Sequence, residues 1–395
     1  MIYSVLALAG LASAAIPAGL QSPLTTGFTN PTVHVSKGGQ AVCVSGNVSV
    51  FASTSKNLKL NYELPKNQSQ VTETFVEFIT QGSPFMQNIM GGMLNISGTY
   101  NISSTLCMPP NAGSLNASSV QFLTHGVGFD KSYWDFAPGY SYADVAALAG
   151  HPTFFYDRLG VGDSSKPDPI TTVQTPLEVE IALNLISRLR NGTFANTNFA
   201  HVIGTGHSFG SIITEAITAS HPKALDAAVL TGFSTNTSAL SAFVSGLNLA
   251  IASDNQPYRF ASLNNGYLVS SSAISQQIGF FRAPGFDPKI LNLAEATKGT
   301  VTVGELLTQG TVTAPALNFT GAVAVVNGNE DLPFCFGNCS YPANKAQMAL
   351  QALYPVASNV STTYLAPTTG HGVNLHYSAG NAFDFIQKFV ADAGF

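Results

Sequence analysis

The sequence predicts an α/β fold, a mostly parallel sheet flanked by helices, with a β-rich extension before it and a helical cap inserted within it. Three observations carry that prediction. From Val120 onward, short apolar strands alternate with segments of helical period, the pattern of βαβ units. Residues 16–117 read instead as irregular β structure, with alternating runs at Thr32 to Val35, Ala41 to Val50, Leu58 to Leu64 and Leu94 to Ser103. Residues 235–320 are too long for a structureless loop, so they are expected to form a lid or cap.

A chain of 395 residues accommodates one α/β domain with a large insertion as readily as two domains. Hydrophobic residues make up 45%, ample for a core, whereas charged residues make up 9%, against about 25% in ordinary soluble proteins. Ser, Thr, Asn and glycan must therefore keep the surface wet. Asn-x-Ser/Thr acceptors stand at Asn47, Asn67, Asn95, Asn101, Asn116, Asn191, Asn236, Asn318, Asn338 and Asn359, and about half are expected to carry N-glycans, which need exposed loops. Residues 1–15 read as a signal peptide: Val5 to Leu11 is apolar and Ala12-Ser13-Ala14 is a small-x-small cleavage site, although no Lys or Arg precedes them. The expected location is extracellular, through the secretory pathway. No later apolar run is long enough to span a membrane, so no stable membrane insertion is expected.

The four cysteines suit an oxidising compartment and permit three pairings, of which Cys43 with Cys107 and Cys335 with Cys339 is the expected one. No Cys-x-x-Cys is present and no histidine stands at ligand spacing beside a cysteine, so no metal is implied, nor any organic cofactor. A net charge of -5 without a basic cluster leaves nothing to neutralise nucleic-acid phosphates.

Taken in order, Val120 to Thr124 reads as a strand running into His125-Gly126-Val127-Gly128. Glycines there let backbone amides turn into a cleft, as an oxyanion hole requires. The strand Pro152 to Tyr156 leads into Asp157-Arg158, expected to be a strand-end ion pair that holds a loop. Thr175-Pro176-Leu177-Glu178 reads as a capping box that opens a helix with Leu177, Ile181, Leu185 and Leu189 as its buried stripe. Between the strand His201 to Thr205 and the helix Ser211 to Ser220 stands Gly206-His207-Ser208-Phe209-Gly210, the context in which a Gly-x-Ser-x-Gly pentapeptide forms a nucleophile elbow. The strand Ala227 to Phe233 bears no carboxylate at its end. Within the cap, Phe243, Tyr258, Phe260, Tyr267, Phe280 and Phe281 are expected mostly to pack as its own core, some of them lining an apolar pocket. The strand Ala322 to Val326 ends in Asn327-Gly328-Asn329-Glu330-Asp331, and Thr362 to Leu365 ends in Thr368-Thr369-Gly370-His371-Gly372. Asp384 to Phe395 reads as a closing amphipathic helix.

A serine hydroxyl needs a base within hydrogen-bond reach, and that base needs a carboxylate to fix its tautomer. Ser208, Asp331 and His371 offer these roles in the order nucleophile, acid, base. On these motifs the chain resembles the α/β-hydrolase superfamily, in its capped, esterase- and epoxide-hydrolase-like branch, over about residues 118 to 395. His125-Gly126-Val127-Gly128 with Trp134 is similar to that family's oxyanion loop, and Asp157 to Ser164 is similar to its Asp-Arg-x-Gly-x-Gly-x-Ser turn, which is mainly structural. The resemblance implies an α/β-hydrolase fold with its core at residues 118–234 and 321–395 and a cap at 235–320. It makes Val127 and Phe209 the amide donors of the oxyanion hole. Asp331 is preferred to Glu330 as the acid, with Glu330 turned outward, and His207 and His376 are read as packing residues. A serine at the nucleophile position argues against epoxide-hydrolase and haloalkane-dehalogenase chemistry, which use a carboxylate there.

The function expected is a secreted, glycosylated serine hydrolase acting on a small apolar carboxylic ester or lactone. The alternatives are a hydrolase or acyltransferase specific for one secondary metabolite, and a non-catalytic binding glycoprotein. The intact set of Ser208, Asp331, His371 and oxyanion glycines speaks against the last.

Overall fold

A computed structural model describes residues 23–110 and 118–395; the expected signal peptide at 1–15 and the acceptor Asn116 lie outside them. The chain begins with strands β1 (Thr29–Val35) and β2 (Val42–Leu60), helices α1 (Gln68–Ile79) and α2 (Phe85–Ile89), and strand β3 (Met90–Met108). The alternating section follows: β4 (Ser119–Thr124), α3 (Tyr142–Leu148), β5 (Thr153–Tyr156), α4 (Thr175–Arg190), β6 (His201–His207), α5 (Phe209–Ser220) and β7 (Ala227–Thr231). The segment 235–320 holds α6 (Leu240–Leu247), β8 (Ala250–Ile251), α7 (Ala252–Asn255), α8 (Pro257–Phe260), β9 (Tyr267–Val269), α9 (Ala273–Phe280), α10 (Pro288–Thr297), β10 (Val301–Thr302) and α11 (Val303–Thr308). The chain then returns through β11 (Ala322–Gly328), α12 (Leu332–Cys335), α13 (Lys345–Leu353), β12 (Thr362–Ala366) and α14 (Ala379–Asp392).

The nine-stranded sheet runs in the order β1-β2-β3-β5-β4-β6-β7-β11-β12 and is parallel from β5 to β12. Every residue of β4, β5, β7 and β11 is buried, which explains why these strands read as continuous apolar runs rather than alternating ones. Helix α3 packs against α14, and α4 against α5. The stripe Leu177, Ile181, Leu185 and Leu189 on α4 is fully buried.

The N-terminal strands are antiparallel and join this same sheet, because β3 pairs with β5 from Ser104↔Tyr156 to Cys107↔Thr153. Cys43 and Cys107 face each other across β2 and β3 and are disulfide-bonded, as are Cys335 and Cys339. The expected strand Leu58 to Leu64 stops at Leu60. Asn67 then caps α1 by accepting from the Gln70 amide, and Val71, Thr74 and Phe75 bury one helical face. The α1 region grips the inserted segment: Gln68 Nε2 donates to Leu249 O at 2.9 Å, its Oε1 accepts from Ile251 N at 2.9 Å, and Asn265 Nδ2 donates to Pro65 O.

Two local expectations are corrected. Helix α4 has Gln174 at its cap position with no side-chain cap bond, so the box expected from Thr175 and Glu178 is absent. Glu178 is drawn to Arg158 instead, and a capping box forms at Thr302 and Glu305. Asp157 and Arg158 also do not pair with each other: Asp157 takes Lys131 and Arg158 takes Glu178 and Glu305.

Candidate active site

Ser208 sits between β6 and α5 with φ 54° and ψ -115°, a backbone state that costs free energy on the order of 1–3 kcal/mol and clusters where function demands it. The flanking glycines make the turn possible by close approach. A Cβ on Gly206 would lie 2.3 Å from Gly210 O, and one on Gly210 would lie 2.0 Å from Thr124 O. The Ser208 amide donates to Thr231 O at 2.9 Å, which anchors the elbow to β7.

His371, in the loop after β12, has its Nε2 2.8 Å from Ser208 Oγ and its Nδ1 2.6 Å from Asp331 Oδ2. Asp331 and His371 are buried and Ser208 is 6% exposed. With Nδ1–H donated to the carboxylate, Nε2 is left to accept the serine proton. The other Asp331 oxygen accepts from Phe334 N at 2.9 Å and so caps α12. Glu330 turns outward to an ion pair with Arg282. The His371 ring is hemmed by aromatics: Phe280 stacks on it at 5.9 Å between centroids, and Phe243 and Phe334 stand at 5.7 and 5.8 Å. Of the six aromatics singled out in the segment 235–320, Phe243 and Phe280 thus meet the site, Phe281 packs against Phe286 and His376, Phe260 and Tyr267 share a small core within the segment, and Tyr258 is exposed.

The backbone N–H groups of Val127 and Phe209, placed beside Ser208, have no acceptor among the described residues. Unpaired donors beside a nucleophile are what a developing oxyanion needs. The loop carrying Val127 is clamped by His125, whose Nε2 accepts from Arg158 N at 3.1 Å while Nδ1 donates to Gly126 O at 2.9 Å. Burial, aided by nearby Arg158, lowers the His125 pKa to about 3, so this tautomer stays neutral. Arg158 in turn lies over the Phe209 ring. Burial, reinforced by Glu305, holds Glu178 well above the usual carboxylate range despite Arg158.

His207 stacks on Tyr133 with centroids 4.4 Å apart, and burial drives its pKa far below normal. His376 Nε2 accepts from Arg282 N and Gly370 N, tying the base loop to the end of α9. Both are packing residues. Each of His125, Tyr133 and His376 also has a partner distant in sequence, Arg158, His207 and Arg282 respectively, and that part of its role carries no local signal. Gly232 carries no signal in its own neighbourhood either: at φ +56°, a Cβ there would lie 2.8 Å from His207 Cε1 and 3.0 Å from His371 Cε1.

Two spaces meet the site. A small cavity of about 20 Å³ lies over Ser208, lined by Val127, Phe209, Ile212, Leu240, Phe243 and Val244 among others. A groove of about 480 Å³ runs between α9 and the loop after β11 and reaches His371. Among the described residues, no group of three or more His, Cys, Asp or Glu could hold a metal ion, and no helix is long and apolar enough to cross a membrane.

Residues 122–383 match the model of the alpha/beta hydrolase family. No curated protein sequence matches the chain. Among solved structures, a thermophilic esterase from Thermogutta terrifontis superposes with a TM-score of 0.51 at 11% identity, covering 75% of this chain and 95% of its own. The enol-lactonase from Burkholderia xenovorans LB400 gives 0.50 at 16% identity, covering 74% and 97%. At such identities the likeness concerns the fold.

Proposed function

The chain belongs to the alpha/beta hydrolase family, and on that footing we propose that it is a secreted serine hydrolase cleaving a carboxylic ester or lactone through an acyl-enzyme on Ser208. The observation that supports this reading is the unbroken chain from Asp331 through His371 to the Ser208 hydroxyl, set beside two unpaired amides. Ser208 Oγ attacks the carbonyl carbon while its proton passes to His371 Nε2. The Val127 and Phe209 amides hold the oxyanion. The C–O bond to the alcohol then breaks, the alcohol leaves with the His371 proton, and water repeats the sequence to release the acid.

Export is supported by the two disulfides and by the acceptors: none of the nine within the described residues is buried. A mass shift on treatment with peptide N-glycosidase tests the glycans.

The direct test of the reaction is labelling with a fluorophosphonate alongside turnover of p-nitrophenyl acetate. A single adduct on Ser208, with labelling and turnover both lost in Ser208→Ala, is the expected result. Turnover equal in the variant and the wild type sinks the reading.

A further inference from the structure

We propose that the exposed ring of Phe336 is the seat of a sugar: the first N-acetylglucosamine of a glycan on Asn338 lies across it. This rests on export, which is part of the proposed function, and is independent of the chemistry at Ser208.

The turn after α12 presents these two side chains together. Phe334 and Phe336 stand two residues apart, yet Phe334 is buried against His371 whereas Phe336 is 63% exposed. The backbone makes the difference. Phe336 ends α12 with φ 53° and ψ 36°, a left-handed state usually left to glycine or asparagine, and Gly337 follows at φ 80°. Asn338 N donates to Cys335 O at 3.2 Å, which closes a tight turn. The Cys335–Cys339 disulfide holds that turn, together with the bonds from Gly337 N to Asp331 O and from Cys339 N to Asn329 O, both 2.8 Å. The ring thus forgoes burial in a backbone state that itself costs free energy, and a partner seated on it offsets both.

Asn338 supplies the partner. It is exposed and begins the acceptor Asn338-Cys339-Ser340. Its Oδ1 accepts from Ser340 N at 3.0 Å, while Nδ2, the atom that bonds to the sugar, has no partner among the described residues. Of the ten acceptors in the sequence, Asn338 alone has an aromatic residue two positions before it. Cα atoms two residues apart lie within about 7 Å of each other, so the first pyranose reaches the ring. One face of N-acetylglucosamine carries axial C–H groups, polarised by the neighbouring oxygens, and these suit the negative face of a phenyl ring. In the folded chain Cys339 is buried and Ser340 Oγ donates to Asn329, so attachment precedes closure of the turn. Asn338 Nδ2 then bonds to C1 of the sugar and loses a proton, and the C1–O bond to a lipid-linked diphosphate donor breaks.

The experiment uses the full chain secreted from a glycosylating eukaryotic host. Peptide mapping reads occupancy at Asn338, and melting temperatures are taken for wild type, Phe336→Ala, Asn338→Asp and the double variant. Aspartate keeps the acceptor for Ser340 N, and alanine meets the same backbone strain as phenylalanine, so neither effect enters the comparison. Asn338 is expected to be modified. Phe336→Ala should lower the melting temperature by about 1–2 °C in the glycosylated protein and leave it unchanged in the Asn338→Asp background. Phe336→Tyr, which keeps an aromatic face, should melt with wild type. Release of the Asn338 glycan by peptide N-glycosidase from the native protein should be severalfold faster in Phe336→Ala, because the innermost sugar is then uncovered. Equal losses in both backgrounds would make Phe336 an ordinary structural residue and overturn the proposal. An unmodified Asn338 in a protein glycosylated elsewhere would overturn it too, and in both cases export stands. A chain that leaves that host without any glycan would remove the export reading along with the proposal.

Discussion

The guanidinium carbon of Arg158 lies 4.4 Å from the centroid of the Phe209 ring, so a buried cation rests on the residue whose amide adjoins Ser208. The same guanidinium bonds to Glu178 of α4 and Glu305 of α11. One side chain thereby ties the inserted segment, the sheet and the elbow together. Removing one partner of a buried ion pair leaves an uncompensated charge and costs about 3–5 kcal/mol. Arg158→Met should unfold at clearly lower urea concentration and also lose kcat, since Phe209 is left without its support. An unchanged urea midpoint would show that the network contributes nothing.

Gly210→Ala would place a Cβ 2.0 Å from the Thr124 carbonyl oxygen. Neither backbone yields without moving β4 or the elbow. A displacement of about 1 Å at a reacting group costs about 10²-fold in rate. We expect such a loss in kcat/KM, and a wild-type rate would mean the elbow is more pliant than its contacts indicate.

Asp331 both orients His371 and caps α12. Asparagine caps a helix as well as aspartate does, yet its amide cannot fix the imidazole in the working tautomer. Asp331→Asn should therefore melt near the wild-type temperature and lose on the order of 10⁴ in kcat. Parallel losses in melting temperature and rate would instead assign Asp331 a structural role.

The two disulfides should part company under mutation. Cys43–Cys107 closes a separation of 64 residues and Cys335–Cys339 one of 4. Loop-closure entropy then predicts losses of about 4 and about 2 kcal/mol respectively. The short bridge, however, closes the turn behind Asp331, since Cys335 ends α12. Replacing Cys335 and Cys339 by serine should lower kcat more than stability; full turnover in that double variant contradicts this.

Glu215, buried in α5, has its pKa raised to about 8 by burial, which one hydrogen bond from Ala314 N only partly offsets. Between pH 4.5 and about 8 the folded protein holds a proton that the unfolded chain has released, so stability falls as pH rises through that window. Glu215→Gln should flatten this slope in denaturation curves taken from pH 5 to 8. A slope identical to wild type would remove Glu215 as its source.

What the sequence disclosed and what it withheld divide along the reach of the interactions. The parallel strands were legible because burial on both faces writes an apolar run into consecutive residues. Ser208, Asp331 and His371 were legible as candidates because each role admits few residue types in a fixed order. The capping box expected at Thr175 failed because Glu178 answers to Arg158, twenty residues upstream, and to charge around Glu305, far downstream. Helix α1 was missed although Asn67 signals it, since the alternating runs around it suggested strand. Gly232 and His125 serve neighbours that only the folded chain brings near.

The clasp between Gln68 and residues 249 and 251 also bears on how the chain is made. Residues synthesised early hold bonds to partners 181 and 183 positions later, while β3 waits for β5 to cover its edge. Such distant pairings slow folding and leave strand edges bare in the meantime. The segment from β1 to β3 thus depends on partners at β5 and beyond, and a nascent chain halted before Ile251 would lack the bonds that hold α1 in place.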